Sequence, residues 1–338
     1  MTDQRRISPR KARRDYFKAR RGEIKESSLR SYEYPTKHFV EFLESRGIEA
    51  MSEVDGYLLQ QWQLDRKGDA IKQITLHNNV KHLRRFIRWC ESSEIVSDGL
   101  ADKMEVPQVS DAEAKSDEVL NPVTAERLLN YFDDYEYATR DHALFALLWH
   151  TGCRVSAAIA LDLGDYEQLE GYLKFRDRVE TGTPLKNGNK SERNVTLAED
   201  VMAIVTDYIE ARRTPSTDEH GREPLFTTRE GNRVSRQIIY KNIVGYTRPC
   251  IFTNNCPHNR EIASCEAYKQ KSQAPSCPSS TSLHPIRRGS ITYHLNQGWP
   301  KEEVSERCDV SVEVLEKHYD DRTEEEKRER RSQFIDEL

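Results

Sequence analysis

The chain has 338 residues, 36% hydrophobic and 32% charged, which is long enough for two domains with real cores. No apolar run approaches the roughly 20 residues of a membrane helix, and the polar, basic amino terminus lacks the apolar centre of a secretory signal, so a cytoplasmic protein without membrane contact is expected. The formal charge of -5 argues against a nucleic-acid partner, yet the positive charge is unevenly spread and arginine-weighted, 34 Arg to 18 Lys, a balance compatible with a salt-rich cytoplasm.

In chain order, residues 1–23 come first, a basic stretch with nine Lys and Arg between Arg5 and Arg21. It reads as an arm along a nucleic-acid backbone, or else as a solvated helix or tail. From Ser27, Leu29, Tyr32, Phe39, Phe42 and Leu43 recur at helical spacing, with Pro35 as a kink and Gly47 as a stop. A second helix carries Tyr57, Leu58 and Trp62. In the third, Leu76, Val80, Leu83, Phe86, Ile87 and Cys90 form an apolar stripe opposite Lys81, His82, Arg84, Arg85 and Arg88. One face packs, and Lys81, Arg84, Arg85 and Arg88 are candidates to ride a phosphate backbone, a solvated face being the alternative. Residues 24–106 therefore read as a helical domain, and the small, polar, aperiodic stretch 107–118 as a linker.

Beyond the linker, Pro122 to Phe132 and Arg140 to His150 read as helices, the second apolar enough to be buried. A Thr151-Gly152 turn then starts a new helix at Arg154. Tyr172, Leu173 and Phe175, then Leu185, Val195 and Leu197, suggest short strands around a Lys186-Asn187-Gly188-Asn189-Lys190 hairpin turn. His284 and Arg287 stand three apart at a helix start, so they share one face while Arg288 is expected to face away. Val312, Val314 and Leu315 tie a last helix to the domain just before Tyr319, and a mixed-charge run from Asp321 to Arg331 follows.

A hydroxyl attacking a phosphodiester needs cations against the non-bridging oxygens and a donor for the leaving oxygen; an ordered Arg, Lys, His, Arg set with a late tyrosine supplies those types. Arg154 after its Thr-Gly turn, the His284-Pro285-Ile286-Arg287 box and Tyr319 together resemble the tyrosine recombinase (phage integrase) family, in its haloarchaeal type, from about Ile24 to Arg331. The resemblance implies a mainly α fold with a small antiparallel β-sheet in the catalytic domain, arranged as a two-domain C-shaped DNA clamp. Residues 24–106 would be the core-binding (SAM-like) domain and 119–338 the catalytic domain. By the same resemblance the protein is a site-specific recombinase acting on double-stranded DNA as a homo-oligomer, a tetramer on paired sites. Tyr319 would form a 3′-phosphotyrosyl link while Arg154 and Arg287 hold the phosphate. His284 would assist, and Lys186, with Lys190 as the fallback, would protonate the leaving oxygen, so the chemistry needs no cofactor. A catalytically silent DNA-binding protein and a type IB topoisomerase-like relaxing enzyme are the rival readings. Two departures stand out: Ala157 replaces the carboxylate that relatives often carry after Arg154, and Arg307 to Ser311 lacks their second histidine or tryptophan. His318 is one candidate to supply that hydrogen bond.

The chain has 7 cysteines, of which Cys90, Cys153 and Cys308 read as buried thiols. Cys250, Cys256, Cys265 and Cys277, with His258 among them, crowd the stretch 250–277 before the His284 box. Four of these five could hold a structural zinc, with free thiols or a disulfide as the alternatives.

Overall fold

A computed structural model of the chain describes residues 6–24, 26–110, 113, 118–319 and 328. The chain divides into two compact units, residues 1–116 and 117–338. Half of the expected linker, residues 111, 112 and 114–117, lies outside the described residues.

The first unit is built from α1 (Pro9–Arg20), α2 (Glu26–Ser45), α3 (Gly56–Gly68) and α4 (Gln73–Ser92). The Ser8 side chain accepts from the Lys11 amide ahead of Pro9, and Asp55 does the same for Leu58, so α1 and α3 begin at residues that satisfy free amides. Leu43, Trp62, Leu83, Phe86 and Ile87 are fully buried where the apolar stripes meet. Each such side chain contributes roughly 1.5–3 kcal/mol on burial. The basic amino-terminal stretch is corrected by this packing. Residues 9–20 are no free arm but a helix that buries Ala12 and Tyr16, with the Tyr16 ring 5.2 Å from that of Phe86. The physical reason is that Ala12, Tyr16 and the half-buried Phe17 give the stretch an apolar face; residues 1–5 lie outside the described residues. Helix α2 runs through Pro35 unbroken.

The second unit opens with α5 (Pro122–Tyr135), the central α6 (Arg140–Thr151) and the short α7 (Val155–Ala160). An antiparallel sheet follows in the order β1 (Tyr166–Glu167), β2 (Tyr172–Phe175), β3 (Arg193–Thr196), with Leu173 opposite Val195 and Phe175 opposite Arg193. Leu173, Phe175 and Val195 are buried on one face. Next come α8 (Glu199–Asp207), α9 (Arg236–Tyr246), α10 (Leu283–Asn296), α11 (Lys301–Cys308) and α12 (Val312–His318). Helix α6 is apolar all round because α5, α8, α9 and α10 all pack on it. Its α10 contact is close: a Cβ on Gly289 would come within 3.0 Å of the Trp149 ring, and within 2.2 Å of the Leu120 carbonyl oxygen just ahead of α5.

The expected tight hairpin is also corrected. Residues 176–192 form a long connection, and Leu185 is buried within it rather than in a strand. The stretch Arg176 to Pro184 lacks period-2 alternation and holds Gly182 and Pro184, so the ladder stops at Phe175. Its neck is closed by Asp177, which accepts from the Leu185 amide at 2.7 Å and donates its own amide to Glu192 at 2.8 Å.

Much of the arginine bias has an internal use. Arg222 and Arg233 both bond Asp162, at 2.7 and 2.6 Å, and Arg178 forks onto Asp165 at 2.9 and 2.5 Å.

Candidate active site

Gly152 ends α6 in the left-handed region, φ 59°, and turns the chain so that Arg154 stands at the start of α7. From there Arg154 donates through Nη1 to the Asp309 carbonyl at 2.8 Å and pairs with the Asp309 carboxylate. Arg287, on the first turns of α10, is 6% exposed. Its Nη1 donates to the carbonyls of Gly152 at 2.7 Å and Cys308 at 2.6 Å, and its Nη2 to that of Asp309 at 3.1 Å. Two guanidinium groups distant in sequence therefore converge on one loop carbonyl. Burial, then the Arg154 charge, pulls the Arg287 pKa down, although arginine stays protonated in proteins.

Tyr319 follows α12, with its amide bonded to the Leu315 carbonyl at 2.9 Å and its side chain packed against the cluster of Ile291, Leu295, Val304, Cys308 and Leu315. Burial raises its phenol pKa, and the nearby charges of Arg287, Arg288 and Arg154 oppose that rise. Arg288 was expected to face away; instead its guanidinium lies 5.7 Å from the Tyr319 ring. The correction has a simple origin: α12 returns the tyrosine over the first turn of α10. His284 is exposed on that same turn, and its pKa is lowered by partial desolvation and by Arg287, Arg288, Arg154 and Arg236. Both effects favour the neutral imidazole, which can donate from one nitrogen and accept at the other.

Lys186 and Lys190 are both exposed on the 176–192 connection. Lys190 lines a cleft of about 670 Å³ together with Arg154, Asn187, Ser191, Arg193 and Asp309. Lys186 is not part of that wall.

Three residues of this site escaped the sequence reading. Ser191 Oγ donates to the Asp309 carboxylate at 2.8 Å, and Asn187 Nδ2 reaches its other oxygen at 3.3 Å. Arg193 lies over Phe175 at 4.2 Å and donates to the Arg307 and Ser191 carbonyls, both at 2.9 Å. Asp309, which gathers Ser191 and Asn187, stands in the left-handed region with φ 55°. Arg307 turns inward to the carbonyls of His150 at 3.1 Å and Thr196 at 3.0 Å. The His318 side chain lies outside the described residues.

On the first unit, Arg84 and Arg88 both bond Asp102 Oδ1, at 2.7 and 2.8 Å, and Arg85 donates to the Tyr32 hydroxyl at 2.5 Å. Lys81 is exposed. His82 packs its ring 4.5 Å from that of Tyr32, and burial, then Arg85 and Lys81, lowers its pKa to about 4.

The zinc expectation is not supported. Among the described residues no three His, Cys, Asp or Glu side chains form a group able to hold a metal ion. Cys250 is buried, Cys256, Cys265 and Cys277 are half-buried, and all four are free thiols. His258 Nε2 bonds Ser279 Oγ at 2.9 Å, and the Cys265 carbonyl accepts from the Tyr268 amide at 3.0 Å at the start of a single-turn helix, Glu266–Lys269.

Residues 118–249 match the model of the phage integrase family. The tyrosine recombinase XerD of Oceanobacillus iheyensis is 24% identical over 239 residues, 69% of this chain and 74% of that one. The Tn1549 transposon integrase, solved with transposon right end DNA, shares the fold with a TM-score of 0.67 at 14% identity, covering 97% of this chain and 100% of that one. A lambda integrase dimer bound to a core site gives a TM-score of 0.60 at 11% identity, covering 90% and 75%. With this fold, and with Arg154, His284, Arg287 and Tyr319 in their expected order, the chain belongs to the phage integrase family of tyrosine recombinases.

Proposed function

We propose that Tyr319 attacks a scissile DNA phosphate held by Arg154 and Arg287, giving a 3′-phosphotyrosyl intermediate that a free 5′ hydroxyl later reverses. The chain is thus a tyrosine-type site-specific recombinase. The observation that carries this reading is the convergence of both guanidinium groups on the Asp309 carbonyl, with Tyr319 within their field in the same subunit.

A free phenol's pKa lies near 10, and burial raises that of Tyr319, so the group is protonated at neutral pH unless activated. Arg287, Arg288 and Arg154 favour the phenolate, and a neutral His284 is available to accept or relay its proton. As negative charge builds on the phosphorane oxygens, the two planar guanidinia donate paired N–H groups that a lysine point charge does not reproduce. Losing one such donor costs about 10²–10³ in rate. A lysine of the 176–192 connection, Lys186 by motif position and Lys190 by its place on the cleft wall, protonates the departing 5′ oxygen. The linkage to Tyr319 conserves the phosphoester bond energy, so rejoining needs neither ATP nor a metal.

Double-stranded DNA is the partner; the integrases of similar fold named above were solved bound to it. Lys81, Arg84, Arg85 and Arg88 on the first unit would contact the backbone, and a tetramer on two sites would exchange strands, with the segment after Tyr319 docking on a neighbouring protomer. The test is incubation with a nicked duplex from which the 5′ fragment diffuses away. Wild-type protein accumulates a covalent protein–DNA complex and Tyr319→Phe does not. A soluble, DNA-binding wild type that never forms the complex would mean a silent DNA-binding protein.

A further inference from the structure

Asp309 occupies a position that a glycine would fill more cheaply. Its φ of 55° and ψ of 60° lie in the left-handed region, where a non-glycine residue costs roughly 1–2 kcal/mol. A strained residue is a pointer to function when its side chain has partners that a glycine could not supply. Asp309 has three such partners: the carboxylate pairs with Arg154, accepts from Ser191 Oγ at 2.8 Å and is reached by Asn187 Nδ2 at 3.3 Å. Two of these belong to the connection that carries Lys186 and Lys190.

The geometry also decides how the carboxylate acts on Arg154. All the hydrogen bonds that Arg154 makes among the described residues leave from Nη1. The Nη2 and Nε edge, the pair that forks onto two oxygens, is left for substrate. A carboxylate filling the phosphate seat would instead cover that edge. We infer that Asp309 is a positioning residue: its carboxylate fixes the guanidinium of Arg154 and the lysine-bearing connection in one frame, so that phosphate grip and leaving-group protonation are delivered together. Ala157 leaves α7 without a carboxylate of its own for this task.

The inference rests on the proposed strand-cutting chemistry, and its test separates the two. Wild type, Asp309→Gly and Asp309→Asn are compared in single-turnover cleavage of two nicked duplexes. One carries the ordinary 5′ oxygen at the scissile bond, the other a 5′ bridging sulfur, a leaving group that needs no proton donor. Glycine keeps the left-handed turn, so Asp309→Gly should fold and bind DNA within about twofold of wild type. Its cleavage of the oxygen ester should drop about 10²-fold, the scale of a misplaced catalytic group. The sulfur ester should recover at least tenfold of that loss, and Asp309→Asn, which can still accept from Ser191, should fall between glycine and wild type. Equal rates for Asp309→Gly and wild type on the oxygen ester, or the same loss on both esters, overturn the coupling role. A wild type that cleaves neither ester overturns the strand-cutting proposal itself. Weakened DNA binding that accounts for the whole loss assigns Asp309 to affinity instead and also overturns the inference.

Discussion

Gly152→Ala is the sharpest structural probe of the site. The residue holds φ 59°, and an added Cβ would stand 2.6 Å from Cys308 Sγ and 3.2 Å from Ser290 Oγ. Neither neighbour can give way freely: Cys308 is fully buried, and Ser290 Oγ donates to the Trp149 carbonyl at 2.5 Å. The left-handed backbone costs an L-residue roughly 1–2 kcal/mol, and overpacking adds about 1–3 kcal/mol. Gly221→Ala is the control, since its φ is +74° but nothing lies within 4 Å of an added Cβ. Urea unfolding should therefore show a loss of about 2–5 kcal/mol for Gly152→Ala and about 1–2 kcal/mol for Gly221→Ala. A total stability of about 5–15 kcal/mol exceeds the loss except where the two ranges meet, so cleavage is compared at low temperature on protein shown to be folded. Cleavage should separate them further. Moving Cys308 moves a carbonyl that holds Arg287, and Gly152 itself supplies another, so a shift of about 1 Å predicts a loss near 10²-fold. Gly221→Ala should cleave like wild type. Equal unfolding midpoints for the two variants would refute the clash argument; wild-type cleavage by a measurably destabilised Gly152→Ala would refute the link from turn to arginine.

Further outcomes follow from the same contacts. Lys186→Ala and Lys190→Ala should differ: whichever removes the acid slows cleavage of an oxygen ester by about 10²–10⁴-fold and is rescued by a sulfur leaving group, while the other stays near wild type. Asp102→Ala releases Arg84 and Arg88 from a shared carboxylate, so DNA binding should tighten and the slope of log affinity against log salt should steepen by about 1–2, measured by fluorescence anisotropy. Stability should also fall in acid. Burial lowers the His142 pKa to about 4, below the roughly 6.5 of an unfolded chain, so the unfolded state takes up the proton first. The native state's advantage is complete above about pH 6.5 and is lost as pH falls toward 4, by up to about 3 kcal/mol. His142→Gln should flatten that part of the urea midpoint against pH profile.

Periodicity made the helices of both units legible, because Leu76 to Cys90 and Ala143 to Leu148 each bury an unambiguous apolar set. Composition was ambiguous at the amino terminus: charge counting left an arm and a solvated helix or tail both open, while Ala12, Tyr16 and Phe17 carried enough apolar face to dock. Arg154, His284, Arg287 and Tyr319 stood out as an ordered set because residues of these types in that order suit a phosphodiester substrate. The length of the 176–192 connection was not, because a polar, Gly- and Pro-containing stretch specifies no ladder and its path is fixed by bonds such as Asp177 to Leu185. Cysteine spacing was a poor guide to zinc, since nearness in sequence does not gather the side chains: among the described residues no three potential ligands meet, and His258 bonds Ser279. Asp309 was invisible for another reason. Its role depends on contacts with Arg154, Asn187 and Ser191, all more than 100 positions away in sequence.

The central claim is that the phenol of residue 319 takes the phosphate. Digesting the covalent complex formed on a nicked duplex, and identifying by mass spectrometry the peptide that retains a nucleotide, tests it most directly. The account predicts a single adduct on Tyr319 joined to a 3′ phosphate; an adduct on another residue, or one joined through a 5′ phosphate, contradicts it.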